Sequence, residues 1–214
     1  MRTRRLIGCL VLSLTVAACG IGTGGSPAGS VGPGEDARSS ATPRPLDLAS
    51  VVIAPDQPPG GMTMSDEGGD RAVLGQLPLF PDSAAQLRAV PGFVGGRWSR
   101  FAGSASDFEA SRGFILTWVV AYDSEANAER AVDILLNELE SDDHYGWGIG
   151  ADAGLGDEGT CLDGENPQMG GLRETICVWR RAQVVMVVGG GDDNATPIED
   201  EAAAMDARTD ELLP

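Results

Sequence analysis

The 214-residue chain contains no lysine, one histidine and no uninterrupted apolar run of the about 20 residues that a membrane-spanning helix needs. Its 15 basic residues are all arginine, against 32 acidic residues, and the formal net charge is −17. Because such a chain repels phosphate groups, nucleic acid and an anionic membrane surface are excluded as electrostatically bound partners. The hydrophobic fraction of 42% allows a buried core, so general disorder is excluded as well.

The first 19 residues match the pattern of an export signal. Three arginines among the first five residues precede an apolar stretch at residues 6–18, which is too short to span a bilayer. The stretch ends in Val16-Ala17-Ala18-Cys19, which resembles the lipobox of bacterial lipoproteins. In that family the cysteine thiol receives a diacylglyceryl group, and the peptide is then cut just before the cysteine.

The lipobox resemblance implies that residues 1–18 are a signal peptide and that Cys19 carries acyl chains such as palmitate. An ordinary signal peptide with an incidental cysteine is the alternative. Removal of residues 1–18 leaves 12 arginines against 32 acidic residues. Residues 19–45 are then a lipid-anchored linker, because 15 of the 26 positions from 20 to 45 are Gly, Pro or Ser, without an apolar period. A flexible chain of this length reaches roughly 30 Å.

Residues 46–214 are expected to form a single α+β domain, an antiparallel sheet packed with amphipathic helices. Apolar spacing predicts helices over 83–90, 124–141 and 197–213, and strands over 93–102, 112–122, 160–163, 173–180 and 183–188. Residues 46–53 are an initial strand or a short turn, and residues 60–70, rich in glycine and acids, are expected to be a loop. Residues 114–122 and 184–188 are apolar on both faces, which indicates two interior strands.

Two cysteines, Cys161 and Cys177, remain after export and lipidation, because Cys9 lies in the signal peptide. Residues 164–171, between them, are dense in turn formers. If the flanking strands pair antiparallel around this turn, the two cysteines face each other within disulfide range. An oxidising compartment permits the bond, so the sequence predicts a structural disulfide. With no C-x-x-C and no histidine cluster, neither redox catalysis nor a zinc site is expected.

Motifs for catalysis and for cofactors are largely missing. Residues 103–107 lack the G-x-S-x-G spacing of a nucleophile elbow. The glycine-rich segments 146–159 and 189–191 match neither a P-loop nor G-x-G-x-x-G, and no cofactor is expected. Any Ser-His-Asp or Cys-His device would have to use His144, the sole histidine.

The abundant acids leave two further sites to consider. A carboxylate pair, Asp157-Glu158 or Asp192-Asp193, would suit a glycosidase-like hydrolase. Calcium prefers carboxylate oxygens, but the EF-hand order is absent, so no metal site is predicted. The acids considered for calcium are Asp152, Asp157, Glu158 and Asp163.

Residues 142–148, Asp-Asp-His-Tyr-Gly-Trp-Gly, form the least ordinary local segment. It displays His144, Tyr145 and Trp147 next to glycines, and amphipathic rings supply contact area at low entropic cost. The segment is therefore a candidate binding loop. The alternative is that Tyr145 and Trp147 fold back and cover the sheet edge.

The order of elements resembles PsbP/Mog1-like lipoproteins and the extracytoplasmic sensor domains of bacterial Ser/Thr kinases. The residues that carry this resemblance are the lipobox at 16–19, the Gly156-Asp157-Glu158 turn before a hairpin, and the C-terminal helix. The resemblance implies a non-enzymatic module, lipid-anchored on the extracytoplasmic face of the cell membrane, that binds a small amphiphile or an envelope protein. An envelope hydrolase that uses paired carboxylates is the alternative function.

Overall fold

The described residues form one antiparallel sheet of seven strands. The computed structural model describes residues 46–75, 83–103, 113–141, 148, 151–166, 172–191 and 198–213. The strands are β1 (Thr63–Gly69), β2 (Phe93–Ala102), β3 (Phe114–Tyr122), β4 (Ala151–Asp152), β5 (Glu158–Asn166), β6 (Leu172–Arg181) and β7 (Val184–Gly191). Their order across the sheet is β1-β2-β3-β7-β6-β5-β4, and all neighbours are antiparallel. The predicted α+β class is confirmed.

Strands β3 and β7 lie side by side at the centre of the sheet, and every residue of both is buried. Their side chains alternate between two separate apolar clusters. Helix α2 (Glu125–Ser141) packs on the face that carries Trp118, and helix α3 (Ile198–Leu212) packs on the face that carries Val119. These faces are called the α2 face and the α3 face. The predicted interior position of both strands is confirmed.

Helix α2 covers the sheet because its apolar residues recur at helical spacing. Its buried residues are Ala128, Ala131, Val132, Leu135 and Leu139. The short helix α1 (Ser83–Ala89) is bonded to α2, since the Ser83 N–H donates to Glu138 Oε2 at 2.7 Å. Both helices match their predictions. Among the described residues, no helix is long and apolar enough to cross a bilayer.

Residues 46–53 lie on the α3 face and begin with the 3-10 turn Leu48–Ser50 rather than a strand. Residues 51–53 are buried there. The Ile53 N–H donates to Thr117 Oγ1 at 3.2 Å, and Ser99 Oγ donates to the Ile53 carbonyl at 3.0 Å. The two hydroxyl oxygens are themselves 2.7 Å apart. The segment is thus held to the sheet by satisfied buried polar groups as well as by apolar contact.

The prediction of a loop at residues 60–70 is wrong, because Thr63–Gly69 forms the edge strand β1. Five of its seven residues are exposed, so the sequence shows no apolar alternation that would indicate a strand. The strand forms by antiparallel pairing with β2, where Thr63 lies opposite Ala102. A bulge between Met64 and Asp66 shifts the register. The two-residue strand β4 also lies outside the predicted strands.

The predicted disulfide between Cys161 and Cys177 is present. The two residues lie directly opposite each other in β5 and β6, with their Cα atoms 4.0 Å apart. The pairing continues to Asn166 opposite Leu172, which places the connection where the sequence predicts the turn. Cys177 is fully buried on the α3 face, so the bond joins the outer strands to the core.

The turn before β5 depends on Gly156. Its φ angle is +54°, and a Cβ atom there would lie 2.1 Å from the carbonyl oxygen of Arg180. The Asp157 N–H donates to the same oxygen at 2.9 Å. The backbones therefore approach too closely for a side chain, and only glycine fits.

Replacement of both cysteines by alanine should lower the free energy of unfolding by about 3 kcal/mol, because the open chain gains entropy in the unfolded state. Urea denaturation of the oxidised protein and the double variant measures this difference. Reduced wild-type protein should unfold like the variant, and the variant should not respond to reductant. Equal midpoints for oxidised and reduced wild type would contradict the prediction.

Gly156→Ala should destabilise the domain by about 2–5 kcal/mol, through left-handed strain plus collision with the Arg180 carbonyl. Gly154→Ala is the matched control. Gly154 has a φ of +62°, but a Cβ atom added there would have no other atom within 4 Å. It should cost only the backbone strain, about 1–2 kcal/mol. Thermal unfolding of the two variants separates the effects. Equal destabilisation by the two variants would show that the close approach to the Arg180 carbonyl does not contribute to the effect of Gly156→Ala.

Candidate functional site

One end of the sheet, called the Phe114 end because β3 begins there, has few side chains on the α2 face. Strand register places two cross-strand rows at this end: Arg100, Leu116, Gly189 and Ile176, then Phe114, Gly191 and Glu174. Because β7 contributes only glycine to both rows, no side chain of β7 stands between β3 and β6, which lie roughly 10 Å apart. All residues of the two rows are buried except Arg100, which is partly buried.

Arg100 and Phe114 form a stacked pair at this end. The guanidinium carbon lies 5.6 Å from the centroid of the Phe114 ring, which is within cation–π range. Phe114 is 8% exposed, so the ring is held by the core and gives the guanidinium a rigid support. On the other side of the glycine positions, the carboxyl-bearing Glu174 is only 2% exposed. Arg100 and Glu174 therefore lie on either side of an otherwise apolar strip of the sheet.

The opposite end, called the Tyr122 end because β3 ends there, is closed by hydrogen bonds to Asp206 of α3. Asp206 accepts bonds from Arg181 Nε at 2.9 Å, from Trp179 Nε1 at 3.2 Å and from the Gly156 N–H at 3.2 Å. Arg181 Nη1 also donates to Asp210 at 2.9 Å. These bonds attach α3 to β6 and to the turn before β5, which is a structural role.

The hydrogen bonds at the Tyr122 end determine the charge of Asp206. Burial acts to raise the pKa of this carboxyl, but the bonds from Arg181, from the Gly156 amide and from Trp179 outweigh burial and hold the pKa below its ordinary value. The hydrogen bond to Asp206 raises the pKa of Arg181. Burial alone raises the pKa of Tyr122 to about 12. All three groups keep their usual protonation state near neutral pH.

Most residues of the predicted binding and lipidation sites lie outside the described residues, namely Cys19, His144, Tyr145 and Trp147. Of the predicted loop 142–148, the structure describes Gly148, whose N–H donates to the Asp163 carbonyl at 2.9 Å. Asp163 belongs to β5 and is followed by Gly164, which lies opposite Glu174. Gly148 therefore lies beside the strands of the Phe114 end.

The predicted carboxylate pair Asp157-Glu158 is bound to Arg180. Asp157 Oδ2 lies 3.4 Å from Arg180 Nη1, and Glu158 Oε2 lies 3.5 Å from Arg180 Nε. Asp157 Oδ2 also accepts the Ala182 N–H at 2.6 Å, which stabilises the β6–β7 turn. These contacts give the pair a structural function. The pair at residues 192–193 lies outside the described residues.

The four acids considered for calcium do not come together. Within the described ranges, no group of three or more His, Cys, Asp or Glu side chains is placed to hold a metal ion. Asp152 Oδ1 accepts the Gly154 N–H at 2.9 Å, and Asp163 Oδ1 accepts the Thr175 hydroxyl at 2.6 Å. Each of these acids thus stabilises a local turn or strand pair.

Sequence reasoning did not single out Arg100, Glu174 or Asp206. Each has a signal that could have found it, since a charged residue occupies a position that periodicity assigns to the covered face of a strand or helix. Arg100 in β2 and Glu174 in β6 interrupt the apolar residues on the α2 face of their strands, and Asp206 lies four residues after the buried Ala202. The stacking of Arg100 on Phe114 has no such signal, because it depends on the register between β2 and β3.

Asp206→Asn should lower the free energy of unfolding at pH 7 by about 3 kcal/mol, because it removes one partner of a largely buried ion pair. The folded carboxyl has a lower pKa than the unfolded one, so the stabilisation is complete above about pH 4 and is lost as the pH falls through the folded pKa. Urea unfolding at several pH values should therefore show wild type and variant converging in acid.

Asp210→Asn is the matched control, since Asp210 bonds the same Arg181 but its side chain is 68% exposed. It should cost less than about 1 kcal/mol, as exposed ion pairs do. A loss for Asp206→Asn that stays constant down to pH 2 would contradict the assigned direction of the pKa shift.

Comparison with known proteins identifies a solved structure of similar fold. No protein-family model matches the chain, and no curated protein matches it. Among solved structures, the extracellular domain of PknH from Mycobacterium tuberculosis is similar, with a TM-score of 0.53 at 11% sequence identity, over 71% of this chain and 86% of that chain. The likeness to PsbP/Mog1-like lipoproteins stays a prediction. The chain therefore shares the fold of the extracellular domain of a mycobacterial kinase.

Proposed function

We propose that the chain is a non-enzymatic extracytoplasmic module, anchored to the cell membrane by a lipid on Cys19, that senses or binds a small amphiphile or an envelope protein. The observation that carries this proposal is the shared fold with an extracellular kinase domain. The fold by itself assigns no ligand. The function is therefore argued from the site and from the location that the sequence indicates.

Two further features support a location outside the cytoplasm. The disulfide between Cys161 and Cys177 belongs to an oxidising compartment. The apolar stretch at residues 6–18, followed by the lipobox, is the pattern of an exported lipoprotein. Strong negative charge keeps such a protein soluble and away from anionic headgroups, so the lipid rather than the protein surface would hold it at the membrane.

The course of residues 46–53 shows where the domain begins relative to the sheet. A Cβ atom added to Gly95 would lie 3.8 Å from Leu48 Cδ1, so the two residues are neighbours. Gly95 lies opposite Ala121, near the Tyr122 end. Leu48 therefore lies near the Tyr122 end, and the Phe114 end, with Arg100, is the opposite end of the sheet.

Lipidation is tested in the full-length chain with Cys19→Ala and, as the matched control, Cys9→Ala. Wild type and Cys9→Ala should incorporate palmitate, fractionate with membranes and begin at residue 19, as intact-mass analysis shows. Cys19→Ala should lose the lipid and leave the membrane fraction. Lipid-free wild type, or an uncut leader, would contradict the anchor.

The binding role is tested on the full chain purified from membranes of its host. Native mass spectrometry should show a co-purifying small molecule or protein at substantial occupancy. Hydrolysis of envelope polysaccharide by the same preparation, abolished by Asp157→Asn, would overturn the non-enzymatic proposal.

A further inference from the structure

Residues 46–53, called the strap, cover one side of the α3 face. The strap lies over β2 and β3, since Ile53 is bonded to a hydroxyl group of each strand. Helix α3 lies over β6 and β7, since Asp206 is bonded to β6 and Thr209 to β7. The strap and the helix are therefore neighbours that cover different strands of the same face.

Two buried hydroxyl groups form a site for the backbone of the strap. Thr117 is 0% exposed and Ser99 is 1% exposed. Thr117 accepts the Ile53 N–H, and Ser99 donates to the Ile53 carbonyl. The remaining hydroxyl proton, that of Thr117, then donates to Ser99 at 2.7 Å, so both groups are satisfied. Arg208 of α3 adds a third bond, from Nε to the Val51 carbonyl at 2.9 Å. Side chains of three elements therefore recognise the strap through its backbone.

The contact between strap and sheet is otherwise apolar and uncharged. The buried residues of the strap, Leu48, Val51, Val52 and Ile53, are at most 9% exposed and belong to the apolar cluster of the α3 face. Residues 48–53 include no charged residue, although the chain has a net charge of −17. Docking of these residues on a second copy would therefore bring no charge of the strap against that copy. The repulsion that remains between two acidic copies is reduced by salt.

The strap is joined to β1 by residues 54–61, called the hinge loop, which is longer than its present connection requires. Ile53 is bonded at Ser99, and Thr63 lies opposite Ala102, three residues and about 10 Å further along β2. Eight residues reach about 25–30 Å when extended. The hinge loop therefore has enough length to carry the strap to a neighbouring molecule.

The hinge loop is exposed and folded into local turns. Residues 55–58 are exposed. The Gln57 N–H donates to the Ala54 carbonyl at 3.0 Å, and the Met62 N–H donates to the Pro59 carbonyl at 2.8 Å. Three of the eight residues are proline, which favours extended backbone. The loop can therefore straighten while the strap keeps its own bonds to the sheet and to α3.

We infer that the strap is exchanged between two copies of this chain, each docking its strap on the α3 face of the other. Exchange retains every bond and apolar contact of the strap, because the strap and its site have the same residues in both copies. The inference goes beyond the proposed function and does not depend on the lipid. An anchor in one membrane would favour exchange, because it concentrates the copies.

The experiment uses the full chain with Cys19→Ala, which removes the lipid as a cause of association, and with a protease recognition sequence inserted between Gln57 and Pro58. At high protein concentration in about 1 M sodium chloride, where the screening length is about 3 Å, size-exclusion chromatography should show a dimer. Cleavage of the hinge loops should convert this dimer into monomers that keep their straps, as native mass spectrometry shows. A dimer that survives complete cleavage is an ordinary surface dimer and would overturn the inference. A chain that stays monomeric under these conditions would also overturn it.

Cleaved protein also shows exchange directly. When isotopically heavy and light cleaved monomers are mixed, native mass spectrometry should detect light straps on heavy domains. Straps that never exchange between folded domains would contradict the inference. Circular dichroism checks that the cleaved domains stay folded.

Thr117→Val separates strap exchange from other association. It removes the acceptor of the Ile53 N–H, so straps of the cleaved variant should exchange at least about tenfold faster. The dimer fraction of the uncleaved variant should stay unchanged, because the same bond is lost in monomer and dimer. Thr175→Val is the control, since the Thr175 hydroxyl donates to Asp163 instead of contacting the strap, and it should change neither quantity. Equal exchange rates for Thr117→Val and Thr175→Val would overturn the inference.

Discussion

The structure depends on one constraint: β3 and β7 are apolar on both faces and must be covered on both. A strand with polar residues on one side can face water there, whereas these two strands cannot. Helix α2 provides the cover on one face. Helix α3, together with residues 46–53, provides it on the other. The three-layer arrangement, and the burial of Leu48 and residues 51–53 on the α3 face, follow from this requirement.

The two ends of the sheet are built differently, and the difference has a chemical reason. At the Tyr122 end, on the α3 face, Asp206 accepts hydrogen bonds from β6, from the turn before β5 and from a tryptophan. At the Phe114 end, on the α2 face, β7 contributes glycines instead of side chains, and Arg100 stacks on Phe114. The Asp206 bonds therefore stabilise the contact between α3 and the sheet at one end, whereas the other end carries a cation–π pair.

Sequence patterns predicted the elements whose burial follows a period. The alternation in β3, the helical stripe in α2 and the symmetry of Cys161 and Cys177 about a turn are local properties, and the structure confirms them. Strand β1 was missed because its side chains are exposed and its pairing with β2 is not local. The stacking of Arg100 on Phe114 was missed for the same reason, since it depends on which residues lie opposite in two strands.

The sequence by itself determined the charge of the protein, the export-like N-terminus, the linker composition, the α+β class and the disulfide, because each is written in residue type or spacing along the chain. Only the tertiary structure decided which acids are bound to which arginines. Ion pairing is a matter of distance between side chains that are far apart in sequence. With 32 acids and 15 arginines, composition alone cannot select the pairs.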